Sequence, residues 1–261
     1  MNQLSSPSII SNKRQVEVLQ AVKMHGSCSI SDLALELNVS DETIRRTVKS
    51  LAAEGLVEKI HGGVMMPNVL SEPAFPLRMN EGKEAKQRIA AKIASQIKNG
   101  SSLILDNGST TAHIAQALTD HSNLFVVTNS VVIANILGFQ PGNRVFMVGG
   151  ELQNNIGGVF GPETLEFVKK FEVQSAIFSA AAIHAEKGFM VHHLCEAEFT
   201  RAIIKQCERT YVAADSRKFG RKAPLRLCEA SQIDELVSDA MPGDDLAQML
   251  SENDIKITIA D

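Results

Sequence analysis

The chain has 261 residues, 44% of them hydrophobic, and 26 Lys and Arg against 30 Asp and Glu leave a net charge of −4. That length can bury a substantial core in one or two domains, with the apolar content of an ordinary globular protein. No apolar run approaches the ~18 residues of a membrane helix, and MNQLSSPSII lacks a basic region leading into an apolar segment. A cytoplasmic chain with no membrane partner is expected.

Met1 to Asn12 is polar and serine-rich and reads as a frayed end. Lys13 to His25 reads as a helix on Val16, Leu19 and Val22, ended by Gly26. Ile30, Leu33, Ala34 and Leu37 recur at helical spacing, so a shorter helix ends near Asn38, and Asn38-Val39-Ser40 is a tight turn. Asp41 to Glu54 follows as a third helix, with Ile44, Val48 and Leu51 as its buried stripe, Ser40 as its cap and Gly55 as its stop. Its opposite face carries Thr43, Arg45, Arg46 and Lys49, the donors that base edges and phosphates require. Leu56 to Ile60 alternates as a strand, and His61-Gly62-Gly63 turns it into Val64-Met65-Met66, a two-stranded wing.

Two tightly joined helices with a basic second helix and a wing make a winged helix-turn-helix, whose partner is double-stranded DNA. From Met1 to Met66, seven Lys and Arg are balanced by seven Asp and Glu. Affinity must therefore come from the local cluster Arg45, Arg46, Lys49, Lys59 and His61, helped by dimerisation. A solvated helix face is the alternative for those cations, and only the flanking helix and wing argue against it. Thr43–Arg46 (TIRR), Glu54–Leu56 (EGL) and His61–Val64 (HGGV) resemble the signature of DeoR-type bacterial transcriptional repressors of sugar metabolism. That family usually has an acidic residue where Thr47 stands here.

Pro67 to Pro76 holds three prolines and little periodicity. It divides a first domain, 1–66, from a second, 81–261, through a linker over 67–80. From Glu81 onward apolar strands alternate with amphipathic helices. The strands read as Ser102–Leu105, Leu124–Val127, Val145–Val148, Ala176–Ser179, Tyr211–Ala214, Leu236–Val237 and Ile255–Ile259. Glu84–Lys98, Thr111–Leu118, Val131–Leu137, Glu163–Phe171, Glu196–Cys207 and Leu246–Leu250 read as the helices. This alternation predicts an α/β domain, a mostly parallel sheet covered on both faces, with ligands bound beyond the carboxyl ends of the strands.

Those ends hold the informative residues. Asp106-Asn107-Gly108-Ser109-Thr110-Thr111 joins a strand to a helix start, where hydroxyls and free N–H groups cradle a phosphate. Thr128-Asn129-Ser130 and Gly149-Gly150-Glu151 end the next two strands. Each reads equally as turn chemistry; their recurrence at successive strand ends favours a site. Cys28, Cys195, Cys207 and Cys228 are scattered, so no metal or other cofactor is expected.

D-x-G-[ST]-T at Asp106–Thr110, VTN at Val127–Asn129, GGE at Gly149–Glu151 and AD-S-x-KFG at Ala214–Gly220 resemble the effector domain of the same family. The resemblance implies a sensor related to ribose-5-phosphate isomerase that binds a phosphorylated sugar or polyol. Asp106, Gly108, Ser109, Thr110, Thr111, Asn129, Gly149 and Gly150 would line its pocket, with Glu196, Asp215 and Lys218 closing it. Two features depart from the family: Ser179-Ala180-Ala181-Ala182-Ile183 replaces a glycine-containing segment, and Thr200 replaces a lysine before Arg201. Lys218 and Arg201 are the cations available to compensate. The expected protein is a ligand-controlled repressor that binds a roughly palindromic operator as a homo-oligomer. The alternative is a sugar-phosphate isomerase-like enzyme, for which Asp106, Glu151 and Glu196 are the available carboxylates.

Overall fold

The computed structural model describes residues 13–25, 27–54, 56–60, 62–65 and 72–261. The chain divides into two compact units, Met1–Ser71 and Glu72–Asp261. The expected frayed end, the helix stops at Gly26 and Gly55, the turn residue His61, and residues 66–71 of the expected linker lie outside the described residues.

The first unit runs α1 (Lys13–His25), β1 (Ser27–Ser29), α2 (Ile30–Glu36), α3 (Asp41–Ala53), β2 (Glu58–Ile60) and β3 (Gly63–Met65). Leu33, Ile44, Val48 and Leu51 pack on Val18, Leu19 and Val22 in one core. The phase of α1 differs from the expectation: Val18 is fully buried and Val16 is 36% exposed, because the packed face includes Ala21 and Val18 rather than a strict three-residue row. Asn38 takes a left-handed φ of 50°, which lets α2 hand over to α3 within four residues. The wing has three strands rather than two. Ser27–Ser29 pairs antiparallel with β3, Cys28 opposite Val64, so the sheet order is β1-β3-β2.

The second unit opens with α4 (Phe75–Arg78) and α5 (Lys83–Ala94), then β4 (Ser102–Leu105), α6 (Ser109–Ala117), β5 (Phe125–Thr128), α7 (Val131–Gly138) and β6 (Arg144–Met147). A hairpin of β7 (Glu151–Gln153) and β8 (Gly158–Phe160) precedes α8 (Pro162–Val168) and β9 (Val173–Phe178). The chain continues through β10 (Ala182–His184), β11 (Gly188–Val191), α9 (Leu194–Ile204), β12 (Cys207–Ala213) and β13 (Leu225–Arg226) to β14 (Glu235–Ser238), α10 (Asp244–Glu252) and β15 (Lys256–Ile259).

Seven strands form one sheet in the order β15-β14-β12-β9-β4-β5-β6, and every neighbouring pair is parallel. Ile89, Ile93, Ile114, Ile133 and Leu137 bury α5, α6 and α7 in one core; Val168, Phe199, Ile203, Leu246 and Leu250 bury α8, α9 and α10 in another. The strand order turns back at β4: β5 and β6 extend to one side of it, β9, β12, β14 and β15 to the other. The crevice beside the carboxyl ends of β4 and β9 is therefore the switch point where such sheets accept ligands.

Residues 72–80, expected to belong to the linker, fold into the second unit. Phe75 is 7% exposed within the core of that unit, and its N–H donates to Asn155 O at 2.8 Å. The stretch that follows Gly149 and Gly150 forms the β7–β8 hairpin, against which this strap packs at Gly157. Among the described residues no helix is long and apolar enough to cross a membrane.

Candidate nucleic-acid interface and ligand pocket

In the first unit, Ser40 accepts the Thr43 N–H at 3.3 Å and shares a 2.9 Å hydrogen bond with the Thr43 hydroxyl, which fixes the start of α3. Thr47, at the family's acidic position, turns its hydroxyl back on Thr43 O at 2.9 Å and presents no charge. Arg45, Arg46 and Lys49 stand exposed on the outer face of α3, and Lys59 is exposed on β2. Arg45, Lys49 and Lys59 line one depression of about 270 Å³ together with Gly62 and Gly63 of the wing. The helix and the wing thus bring three of the expected cations to one concave surface, with Arg46 one residue away on the same helix.

In the second unit, Asp106 follows β4 and is 7% exposed. Its carboxylate accepts from Gly108 N at 2.9 Å, Thr111 Oγ1 at 2.6 Å and Ser179 N at 2.9 Å. Burial pushes this carboxyl above the ordinary range, against the pull of those three donors. Asp106 therefore ties the loop before α6 to the end of β9 and has little capacity left for a ligand. Gly108 is required by that closure: a Cβ there would lie 3.0 Å from both Ser179 Cβ and Thr111 Oγ1.

No side chain caps α6, whose first residues Ser109, Thr110 and Thr111 are all buried. Beside that first turn lies a cation that the sequence pattern did not reveal. Lys86, 2% exposed on α5, donates to Ser109 Oγ at 2.8 Å and Arg78 O at 2.6 Å. Burial lowers the pKa of this ammonium to about 8, with Asp215 opposing the shift.

Asn129, fully buried, donates to Asn107 Oδ1 at 3.2 Å, while its own Oδ1 has no partner. Glu196 Oε2 is also buried without a partner, and burial together with the Glu72 carboxylate raises this carboxyl's pKa to about 8. Arg78 Nε is a third such atom. Buried polar atoms are nearly always paired in folded proteins; Gln15 Oε1 and His121 Nδ1 are orphaned elsewhere, whereas Arg78 and Asn129 are linked through Ile156 O and Asn107.

Asp215 is fully buried. Burial opposes its charge, yet the Arg217 guanidinium, donating at 2.7 and 3.1 Å, holds its carboxyl below the usual range. Lys218, half-buried, has its pKa lowered by burial against the pull of Glu72 and Asp215. Gly149 and Gly150 are both exposed: Gly149 O accepts from Thr164, and Gly150 at φ +144° packs against Phe160 and against Val159, whose N–H donates to Asn129 O at 2.8 Å. Arg201 is unavailable as a compensating cation, because Nε donates to Leu227 O at 2.9 Å and a terminal nitrogen to Arg226 O.

Glu72, Arg78, Lys86, His193 and Arg217 are the groups that sequence reasoning missed, and Asn107 was read only as part of its loop. Arg78 donates to Glu72 at 3.1 Å and to Ile156 O at 2.9 Å, which joins the strap to the hairpin over the crevice. Their one sequence signal is a charged residue inside an otherwise buried stretch, and that is visible only once burial is known. A separate depression of about 500 Å³, lined by Leu165, Glu198, Arg201 and Ala202 between α8 and α9, contains none of the strand-end residues.

Residues 14–69 match the model of the DeoR-like helix-turn-helix domain and residues 81–240 that of the DeoR C terminal sensor domain. The chain is similar to the glycerol-3-phosphate regulon repressor of Escherichia coli K12, 33% identical over 95% of this chain and 98% of that one. It is also similar to the HTH-type transcriptional repressor CsqR of the same organism, 29% identical over 98% of each. Among solved structures, ribose 5-phosphate isomerase A of Methanocaldococcus jannaschii aligns at 13% identity over 53% of this chain and 55% of that chain, with a TM-score of 0.38.

Proposed function

The chain belongs to the DeoR-type transcriptional regulators, and from that membership we propose that it represses genes of sugar or polyol metabolism until a phosphorylated sugar or polyol binds its second unit. The named relatives are repressors, so the isomerase-like alternative is dropped. In this reading Thr43, Arg45, Arg46, Lys49, Lys59 and His61 contact the operator. Arg45 or Arg46 reads a guanine, and the remaining cations neutralise phosphates.

The effector's phosphate sits at the uncapped start of α6, against Ser109, Thr110 and the Lys86 ammonium. Its hydroxyls satisfy Asn129 Oδ1 and Glu196 Oε2, and the phosphate beside Lys86 also meets the Arg78 guanidinium, with Lys218 and Asp215 at the margin. Those three orphaned buried atoms beside an open helix start are the observation that carries the reading. Homo-oligomerisation presents two winged units to a roughly palindromic operator, and the effector shifts the population toward a state that no longer spans both half-sites.

A thermal-shift screen of phosphorylated sugars and polyols tests it. A ligand at about 100 times its Kd adds about 2.7 kcal/mol of stability, and the same compound should release the protein from its operator. A chain that prefers no genomic fragment at moderate ionic strength, with or without these compounds, refutes the proposal.

A further inference from the structure

Glu72 is where the second unit begins, and its side chain turns inward, 8% exposed. Its carboxylate accepts from Arg78 at 3.1 Å, and the Arg78 side chain is itself 7% exposed. Carboxylate oxygens of Glu72 and Glu196 and a ring nitrogen of His193 all lie within 4.8 Å of one another. Two carboxylates so placed repel, and Glu196 is left with one oxygen unpartnered. Arg78 already neutralises Glu72, so the group is a buried ion pair beside a strained carboxyl rather than a vacant cation site.

The guanidinium of Arg78 is thus held by an anion from its own chain, six residues away; the carbonyl of Arg78 accepts from Lys86, the ammonium that also reaches Ser109 at the start of α6. A buried ion pair has little net stability, since desolvation offsets most of the attraction. Exchanging one anion for another at the same guanidinium is therefore nearly free, and a phosphate engages the guanidinium fork at least as well as a carboxylate does. Departure of Glu72 also removes the like charge facing Glu196.

We propose that Glu72 is a tethered competitor: it occupies Arg78 until an anionic group of the effector displaces it, and its release loosens the strap of residues 72–80. Because the second unit begins at Glu72, the contact that holds this residue fixes the point from which the chain leads back toward the winged unit. Effector binding is by this route coupled to the tether of the DNA-binding unit. The inference rests on the effector reading above.

The test compares full-length wild type and Glu72→Gln for calorimetric binding of glycerol phosphate and inorganic phosphate, with amide exchange followed over residues 72–80. Glu72→Gln should bind about tenfold more tightly, the order of one charge-assisted hydrogen bond no longer competed for. Exchange over 72–80 should quicken when wild type binds, and should already be fast in unliganded Glu72→Gln. Equal or weaker binding by the variant, or slower exchange in liganded wild type, overturns the tethered competitor while leaving the effector reading intact. Failure of both proteins to bind either phosphate, together with no stabilising compound in the thermal-shift screen, overturns the two together.

Discussion

Glu196 is a carboxyl for which ionisation is costly in the folded chain, because burial and the Glu72 carboxylate raise its pKa from 4.5 to about 8. A folded-state pKa above the unfolded value means that the native chain holds the extra proton between these two limits. Stability from this group is thus fully present below about pH 4.5 and is lost as pH rises to about 8. Glu196→Gln should flatten that part of the stability profile and be the more stable protein at pH 8, by on the order of 1–2 kcal/mol; urea unfolding across this range reads the difference. A variant that tracks wild type at every pH would show that Glu196 ionises freely. Burial pushes the Asp106 carboxyl in the same direction, but here three donors converge on the carboxylate. Asp106→Asn turns an NH2 toward one of those donors and should cost about 2–3 kcal/mol, with loss of any effector-induced rise in Tm.

At the scale of elements, the strap and the hairpin hold each other in place, and Gly157 is where they touch. It adopts φ +86°, and a Cβ there would lie 2.5 Å from Phe75 Cγ. Gly157→Ala should destabilise by about 2–4 kcal/mol, combining backbone strain with displacement of a buried ring. Gly188 is the control: its φ is +70° but a Cβ would meet nothing within 4 Å, so Gly188→Ala carries only the conformational cost of about 1 kcal/mol. Equal Tm losses would mean that Phe75 does not pack as described. The same two elements mark the limit of what could be read from the chain alone. α1 and β4 match their expected bounds because thirteen residues of helix and an uninterrupted SLIL leave no other period to choose. The three-residue strands β1, β7, β8 and β10 and the four-residue α4 are shorter than any repeat that reveals them. Asp106 and Asn129 could be picked out because loops at strand ends announce themselves by Gly, Asn and Ser, and Asp215 only through the family resemblance. Lys86 and Arg78 were not, because what makes them notable is burial beside residues that come from distant parts of the chain.

The charge of the whole molecule is unevenly placed. Lys and Arg equal Asp and Glu up to Met66, residues 67–71 carry no charge, and the entire excess of −4 falls on the second unit. Long-range attraction therefore contributes nothing to operator search, and each copy has only Arg45, Arg46, Lys49 and Lys59 as exposed cations on α3 and the wing. If two copies use all of them on phosphates, about eight counterions are released, and the plot of log K against log salt concentration can fall no more steeply than about −7. Any arginine that reads a base lowers that figure. The expectation for a two-half-site operator is a slope between about −3 and −7, and Lys49→Ala should reduce its magnitude by about 2, one for each copy, on every sequence alike. Arg45→Ala should behave differently if it reads guanine, weakening binding by about 1–3 kcal/mol and erasing preference at a single base pair per half-site. A wild-type slope steeper than about −10 would require phosphate contacts from a surface with no net positive charge to provide them, and would place the DNA interface on a face other than α3 and the wing.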